Sequence, residues 1–361
     1  MPRDGKLGIP GLFPGQVVSV RHKGAYASGR FDAAVIRQMF ETAMPALGGG
    51  GDWRDAWKLL FAPGDVVAIK VSPVAQPYVI SSAPVLQEIV RGLEAAGVKR
   101  GDIVVYDRYR ADLFGAGIAA WAPEGVRIAW ASETWDEVQQ SLDGYDRDIR
   151  FDFGVGLPGQ DATRFEVRHS FGAAILRSVN KIVNLSTLKD HQAAGVTLSL
   201  KNLSHGFFNN VNRTHPEPAL NYTRQFIPLA VSQAAIRERA VLQIIDGIRG
   251  QYHGGPQPEP EFVWQHNTLY FGTDPVALDR VGWDVLDRER VARGMAPLQQ
   301  SLPDSYSVFL ERQSDHILQA GAMGLGQADL SQIRQTRIAL DGSQAARPGL
   351  DRRPTLERRT R

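Results

Sequence analysis

Between Asn184 and Arg213 the chain reads NLSTLKDHQAAGVTLSLKNLSHGFFNNVNR, which sets two lysines, two histidines and several carboxamides among apolar residues. Ammonium and carboxamide groups bind carboxylates and phosphates, whereas imidazole carries protons near neutrality or ligates metals. Lys189, His191 and Lys201 are therefore the candidate catalytic residues, and Asn202 is a candidate ligand-binding residue. The alternation of Val196, Leu198 and Leu200 with Thr197, Ser199 and Lys201 predicts a short strand over Thr197 to Lys201. On that strand Thr197 and Ser199 share a face with Lys201 and join the ligand-binding set. A single Lys or His on a half-exposed strand is ordinarily a solvated side chain. Here the density of such groups within one loop, strand and loop unit points to a site instead.

Three more polar residues each follow an apolar run: Lys70 after Val66–Ile69, Asp107 after Ile103–Tyr106, and Asp246 after Val241–Ile245. In an open α/β sheet the carboxyl ends of parallel strands share one edge, so these residues are expected to meet His191 in a single crevice. Lys70 then belongs to the ligand-binding set. His191, His205, Asp107 and Asp246 form a candidate set for a divalent metal, although no H-E-x-x-H motif is present and the set depends wholly on convergence. Capping of a following loop or helix is an equally good role for either Asp. The crevice suits a small anionic molecule bearing a carboxylate or phosphate. Two classes of function remain open: a small-molecule enzyme with His191 as acid, base or metal ligand, and a noncatalytic solute- or metal-binding protein.

The elements that must position these residues are legible as an α/β pattern. Val66–Ile69 and Ile103–Tyr106 read as strands buried on both faces, joined by a helix whose apolar positions Val85, Ile89, Leu93 and Ala96 recur at helical spacing. Strand, helix and strand in about forty residues form a βαβ unit. Strands are also expected at Val17–Val20, Val126–Trp130, Lys181–Leu185, Val241–Ile245 and Thr336–Leu340. Helices are expected at Asp32–Met44, Tyr222–Arg239 and Ser307–Ala320, with a further one opened by Asp274 as N-cap before Pro275. The prediction is a mostly parallel central sheet flanked by helices, as one large domain or two closely packed βαβ halves spanning 16–342. Residues 1–15 read as an irregular segment, 143–163 as a long loop or sub-boundary, and 343–361 as a disordered basic tail.

Composition narrows the classes further. With 361 residues, 43% of them apolar and 22% charged, the chain can bury a large core. It has no Cys, which removes disulfides, Cys nucleophiles and any cysteine-ligated iron-sulfur cluster. The net charge is only +2, and the tail holds six Arg against two acids, so the body is slightly acidic and does not read as binding nucleic acid. No apolar stretch approaches the roughly 18 residues of a membrane span, and no signal pattern opens the chain. As given it reads as cytoplasmic, and its oligomeric state is not legible. Gly115–Ala120 fits the dinucleotide pattern G-x-G-x-x-A with Glu133 further on, but Asp107–Phe114 separates it from the preceding strand. A dinucleotide-dependent oxidoreductase is accordingly the weaker alternative.

Several of these segments carry a resemblance. Ile69-Lys70, Leu188–His191, Val196–Asn202, His205-Gly206, Ile245–Gly247, Gly254–Pro256 and Asp274–Asp279 together resemble the bacterial and archaeal domain of unknown function 362 family, over about Gly64 to Gly326. The resemblance implies no particular reaction. It does imply that many relatives are exported through a twin-arginine leader, which makes an exported mature form an alternative localisation. Others are fused to ferredoxin-like cluster modules, which implies redox or metal-linked chemistry for part of the family. Relatives often carry Asn two positions after the first Lys, where this chain has Ser72. Lys189, His191, Lys201 and Asn202 match the family's motifs and are the strongest site candidates.

Overall fold

In the computed structural model, which describes residues 7–135, 142–156 and 165–342, the apolar runs at 67–70 and 103–106 become strands with every residue buried. The first half runs β1 (Gln16–Arg21), β2 (Tyr26–Ala27), β3 (Arg30–Phe31), α1 (Ala33–Gly48), α2 (Trp53–Leu60), β4 (Val67–Lys70), α3 (Ala83–Ala95), β5 (Ile103–Tyr106), α4 (Arg110–Gly115), α5 (Ile118–Trp121) and β6 (Arg127–Ala129). Next come β7 (Tyr145–Gly156), β8 (Phe165–Ala173), β9 (Lys181–His191), β10 (Gly195–Val196), α6 (Leu198–Phe207), α7 (Thr223–Ser232) and α8 (Ala234–Arg237). The chain continues with β11 (Ala240–Gln251), β12 (Val263–Gly272), α9 (Pro275–Ala292), α10 (His316–Ala322) and β13 (Arg334–Ala339).

One large sheet takes strands from both halves, in the order β13-β1-β12-β11-β9-β4-β5-β6, with β10 added beside β9. Along that path only β12 is antiparallel to its neighbours. The fold is therefore α/β with a mostly parallel sheet, and β11, β9, β4, β5 and β6 all end at the same edge. The sheet separates two apolar cores. One gathers Val67, Ile69, Val183 and Leu185 against Ile36, Phe40, Trp57 and Ile89 of the first three helices. The other packs Ala68 and Ile182 against Leu203, Phe226, Ile227 and Leu278, with Phe151 and Phe153 of the β7–β8 hairpin. A sheet covered on both faces by helices needs continuous apolar strands, which is what the sequence supplies.

The structure corrects four expectations. Residues 197–201 are not a strand: α6 starts at Leu198, and its first amides are held from elsewhere, with Ser199 N and Leu200 N each donating to the Asp279 carboxylate at 2.7 Å. This cap comes from α9, some eighty positions along the chain, so the alternating polar pattern lost to a tertiary contact. The segment 143–163 is no loop where described, because Tyr145–Gly156 pairs with Phe165–Ala173 as a hairpin. The helix expected over Tyr222–Arg239 breaks at the extended Gln233, and the one expected over Ser307–Ala320 starts only at His316. Its missing turns are replaced by side-chain anchors: Gln313 Oε1 accepts from Arg224 N at 2.9 Å and its Nε2 donates to the Asn221 carbonyl at 2.9 Å. Asp274 caps α9 by accepting from Ala277 N at 2.9 Å, and it also binds Gly15 N at 2.9 Å, tying the irregular N-terminal segment to the body. Residues 1–6 and the basic tail 343–361 lie outside the described residues.

Candidate functional site

Lys70 closes β4, where its Nζ donates to Asp107 Oδ1 at 2.5 Å, to the Val71 carbonyl at 2.5 Å and to Asn202 Oδ1 at 3.0 Å. All three ammonium donors are thus used. Gly206 makes room for this side chain, since a Cβ there would sit 2.0 Å from Lys70 Cε. Asn202 Nδ2 in turn donates to Asn184 Oδ1 at 2.7 Å. Asn202 therefore orients Lys70, and a relay from β9 through α6 to β4 fixes the floor of the site.

Beside that floor lies a second arginine-lysine group. Arg108 follows Asp107 at the end of β5, donates from Nη1 to the Phe208 carbonyl at 3.1 Å and lies 4.3 Å over the Tyr109 ring. Its Nε is buried with no hydrogen-bond partner among the described residues. Lys189 donates from Nζ to the Val74 carbonyl, and burial pushes its ammonium down to about 7 against the opposing pull of Asp190. The Nζ of Lys201, on α6, has no hydrogen bond or ion pair among the described residues, although its carbonyl accepts from Ser204 Oγ at 3.3 Å. Burial holds it well below the ordinary lysine range, and Arg108, Lys189 and Lys70 push it in the same direction. A buried amine surrounded by cations favours its neutral form.

Three imidazoles complete the wall. His191 Nδ1 accepts from Ala193 N at 3.1 Å and Ala194 N at 3.2 Å, which places the proton of the neutral ring on Nε2. His205 stands four residues after Lys201 on one side of α6, and both its nitrogens meet hydroxyls, Nδ1 with Ser204 at 3.1 Å and Nε2 with Thr214 at 3.3 Å. His215 Nδ1 lies 2.7 Å from the same Thr214 oxygen, and the rings of His191 and His205 are 5.4 and 5.7 Å from His215. Burial, reinforced by Lys201, keeps all three neutral, with His215 pushed down to about 3.

These groups line one cavity of about 820 Å³ at the strand ends. Of the residues singled out in the sequence, Lys70, Asp107, Lys189, His191, Thr197, Lys201, Asn202 and His205 reach it. Ser199 and Asp246 do not. Ser199 is buried beneath α6 near Ser186, and Asp246 accepts from Ser82 N at 3.0 Å and Ser82 Oγ at 2.6 Å, anchoring the start of α3. Asp107 is committed to Lys70, and among the described residues no group of three His, Asp or Glu side chains is arranged to hold a metal ion. Of the four residues of the expected metal set, His191, His205 and Asp107 line the cavity and Asp246 does not. Gly115 and Gly117 sit at a corner between α4 and α5, with no strand ending there, which suits close helix packing.

Sequence reasoning missed Arg108, Asp112, His215 and Glu217, which also line the cavity, as do Val74, Trp135, Val308 and Phe309 at its apolar side. Arg108 had a signal in following Asp107 directly, and His215 lies two positions beyond the polar stretch that drew attention. The loop after α9 carried none.

On the opposite side of the Lys189–His191 segment, Asp190 accepts from Arg312 Nη1 at 2.9 Å and Gly255 N at 2.8 Å. His253 Nδ1 accepts from Arg312 and Arg290, and its Nε2 lies 2.9 Å from Asp304. This network holds the 304–313 loop, and with it Val308 and Phe309, against the cavity. A family model described as Domain of unknown function (DUF362) matches residues 67–284, more than half of the chain, and takes in every strand end that contributes to the cavity. No curated protein matches the sequence.

Proposed function

The chain belongs to that domain of unknown function family, and we propose that it is a small-molecule enzyme acting on a carboxylate- or phosphate-bearing substrate in the strand-end cavity. The observation that carries this reading is Lys201, a buried amine with no counter-ion among the described residues, flanked by Arg108 and Lys189. Four basic side chains line the cavity against the three carboxylates Asp107, Asp112 and Glu217, and Asp107 is already paired with Lys70. A bound anion supplies the missing negative charge in a water-poor space, where such attraction is much stronger than in solvent. A dianion such as oxalate draws a proton onto Lys201, whereas a monoanion seated against Arg108 and Lys189 leaves Lys201 free to lose one. His191 presents an Nε2–H toward the same space and moves a proton to or from the substrate.

The test uses the purified chain with oxalate and inorganic phosphate as probes. Both should raise the melting temperature, glycerol should not, and Lys201→Met should abolish the shift. No shift with either anion overturns the reading. Catalysis is tested by incubating the protein with a defined mixture of carboxylates and phosphate esters and following consumption by mass spectrometry. Consumption by the wild type and not by His191→Gln supports an enzyme, whereas anion binding without turnover supports a noncatalytic carrier.

A further inference from the structure

The cavity holds three buried lysines, and they are not equivalent. Lys70 has each donor engaged by Asp107, Asn202 or a carbonyl. Lys189 is tied to the Val74 carbonyl. Lys201 Nζ is free of protein partners among the described residues, faces the cavity from α6, and has Arg108 and Lys189 beside it and His191 and His215 across from it. Resting on the anion-site reading, we infer that Lys201 is a nucleophile that forms an imine with a 2-oxo acid whose carboxylate lies against Arg108 and Lys189.

The chemistry matches the arrangement. A lysine amine attacks carbonyl carbon only when unprotonated, and nearby cations in a desolvated site are the known means of keeping it so. Attack forms the N–C bond while the carbonyl oxygen takes a proton, giving a carbinolamine. A second proton on that oxygen lets it leave as water, and the nitrogen lone pair closes the C=N bond. The sum is amine plus carbonyl plus one proton giving iminium and water, with no change of oxidation state. The Lys189 ammonium, brought down to about 7 by burial, can deliver a proton to the departing oxygen, and the neutral His191 can hydrogen-bond that oxygen through its Nε2–H. The iminium then acidifies the adjacent C–H, and a neutral ring such as His215 can accept that proton.

The 2-oxo acid makes two demands, a cationic seat for its carboxylate and a nearby amine that gives up its proton readily, and Arg108, Lys189 and Lys201 line the same cavity. A plain anion-binding site needs only the first. The buried Nε of Arg108 has no hydrogen-bond partner among the described residues.

The test is reductive trapping. The full chain is incubated with pyruvate and sodium cyanoborohydride, and the intact mass and tryptic peptides are measured. The expected result is one adduct per chain, of pyruvate less one oxygen, located on Lys201. Lys201→Arg cannot form the imine, so its adduct falls to background, while its far-ultraviolet circular dichroism stays close to wild type and shows that the variant is folded. In D2O the wild type should exchange the pyruvate methyl protons, and Lys201→Arg should not. Oxalate binding without trapping or exchange overturns the imine and leaves the anion site standing. An adduct on Lys189, or spread over exposed lysines, overturns the assignment to Lys201. Absence of both oxalate binding and trapping overturns the anion reading along with it.

Discussion

The segment Lys189-Asp190-His191 divides two buried charged regions. Behind it, Asp190, Arg312, Arg290 and His253 are joined by hydrogen bonds between 2.9 and 3.2 Å, and His253 Nε2 lies 2.9 Å from the Asp304 carboxylate. In front, Lys70 is matched by Asp107, but the Nζ of Lys201 and the Nε of Arg108 have no partner among the described residues. Both regions required desolvating charge, which is costly in any fold. The matched network recovers that cost within the protein and serves to hold a loop. The unmatched one recovers it only when something from outside arrives, which is why the cavity side is the functional candidate.

The sharpest way to break the comparison is Asp190→Ala, which leaves Arg312 buried without its carboxylate. It should cost about 3–5 kcal/mol in urea unfolding, and a loss under about 1 kcal/mol would mean the rear network is not structural. Next, Gly206→Ala forces a methyl into Lys70 Cε and should cost about 1–3 kcal/mol by the same measurement. On the unmatched side, Lys201→Met should leave stability unchanged or raised, because the site loses an uncompensated polar group. The same change should weaken oxalate binding by about 1.5–3 kcal/mol in calorimetry.

A smaller effect distinguishes the sides by pH. Free Lys201 is held well below 10.5, while an adjacent anion returns it toward the ordinary lysine range, so binding takes up a proton. Oxalate affinity should then fall as pH rises between those two values, by up to about tenfold per pH unit for each proton taken up. The charged and titratable groups facing Lys201 are Arg108, Lys189, Lys70, His191, His205, His215 and His316. The imidazoles, all held below their usual range, stay neutral in that window, and Lys189, near 7, and Lys70, also lowered by burial, add to the slope. A pH-independent affinity with no proton uptake would show that Lys201 is already charged. The smallest change is Ser199→Ala, which should cost about 1 kcal/mol of stability through its buried hydroxyl and leave oxalate affinity untouched.

How much of this was legible differs by element. The β4–α3–β5 unit was plain because its apolar periodicity is local. The cluster Lys189, His191, Lys201 and Asn202 was visible as a density of polar types, and its members do share a cavity wall. Asn202 nevertheless turned out to hold Lys70, and Asp246 to hold Ser82, because which partner a buried polar group takes depends on the neighbouring element. The helical row Leu200, Leu203 and Phe207 was available as a signal for α6, yet the cap that starts the helix is Asp279.

The amino-acid order alone determined the alternation of strand and helix, the buried parallel strands and the placing of basic and polar residues after them, since those follow from periodicity and from where parallel strands end. Only the tertiary structure decided which buried charges are answered and which are left open. Charge compensation is a property of distance in space, and residues as far apart in sequence as Lys70 and Asn202, or Asp190 and Arg312, come within hydrogen-bonding reach only after the sheet is assembled.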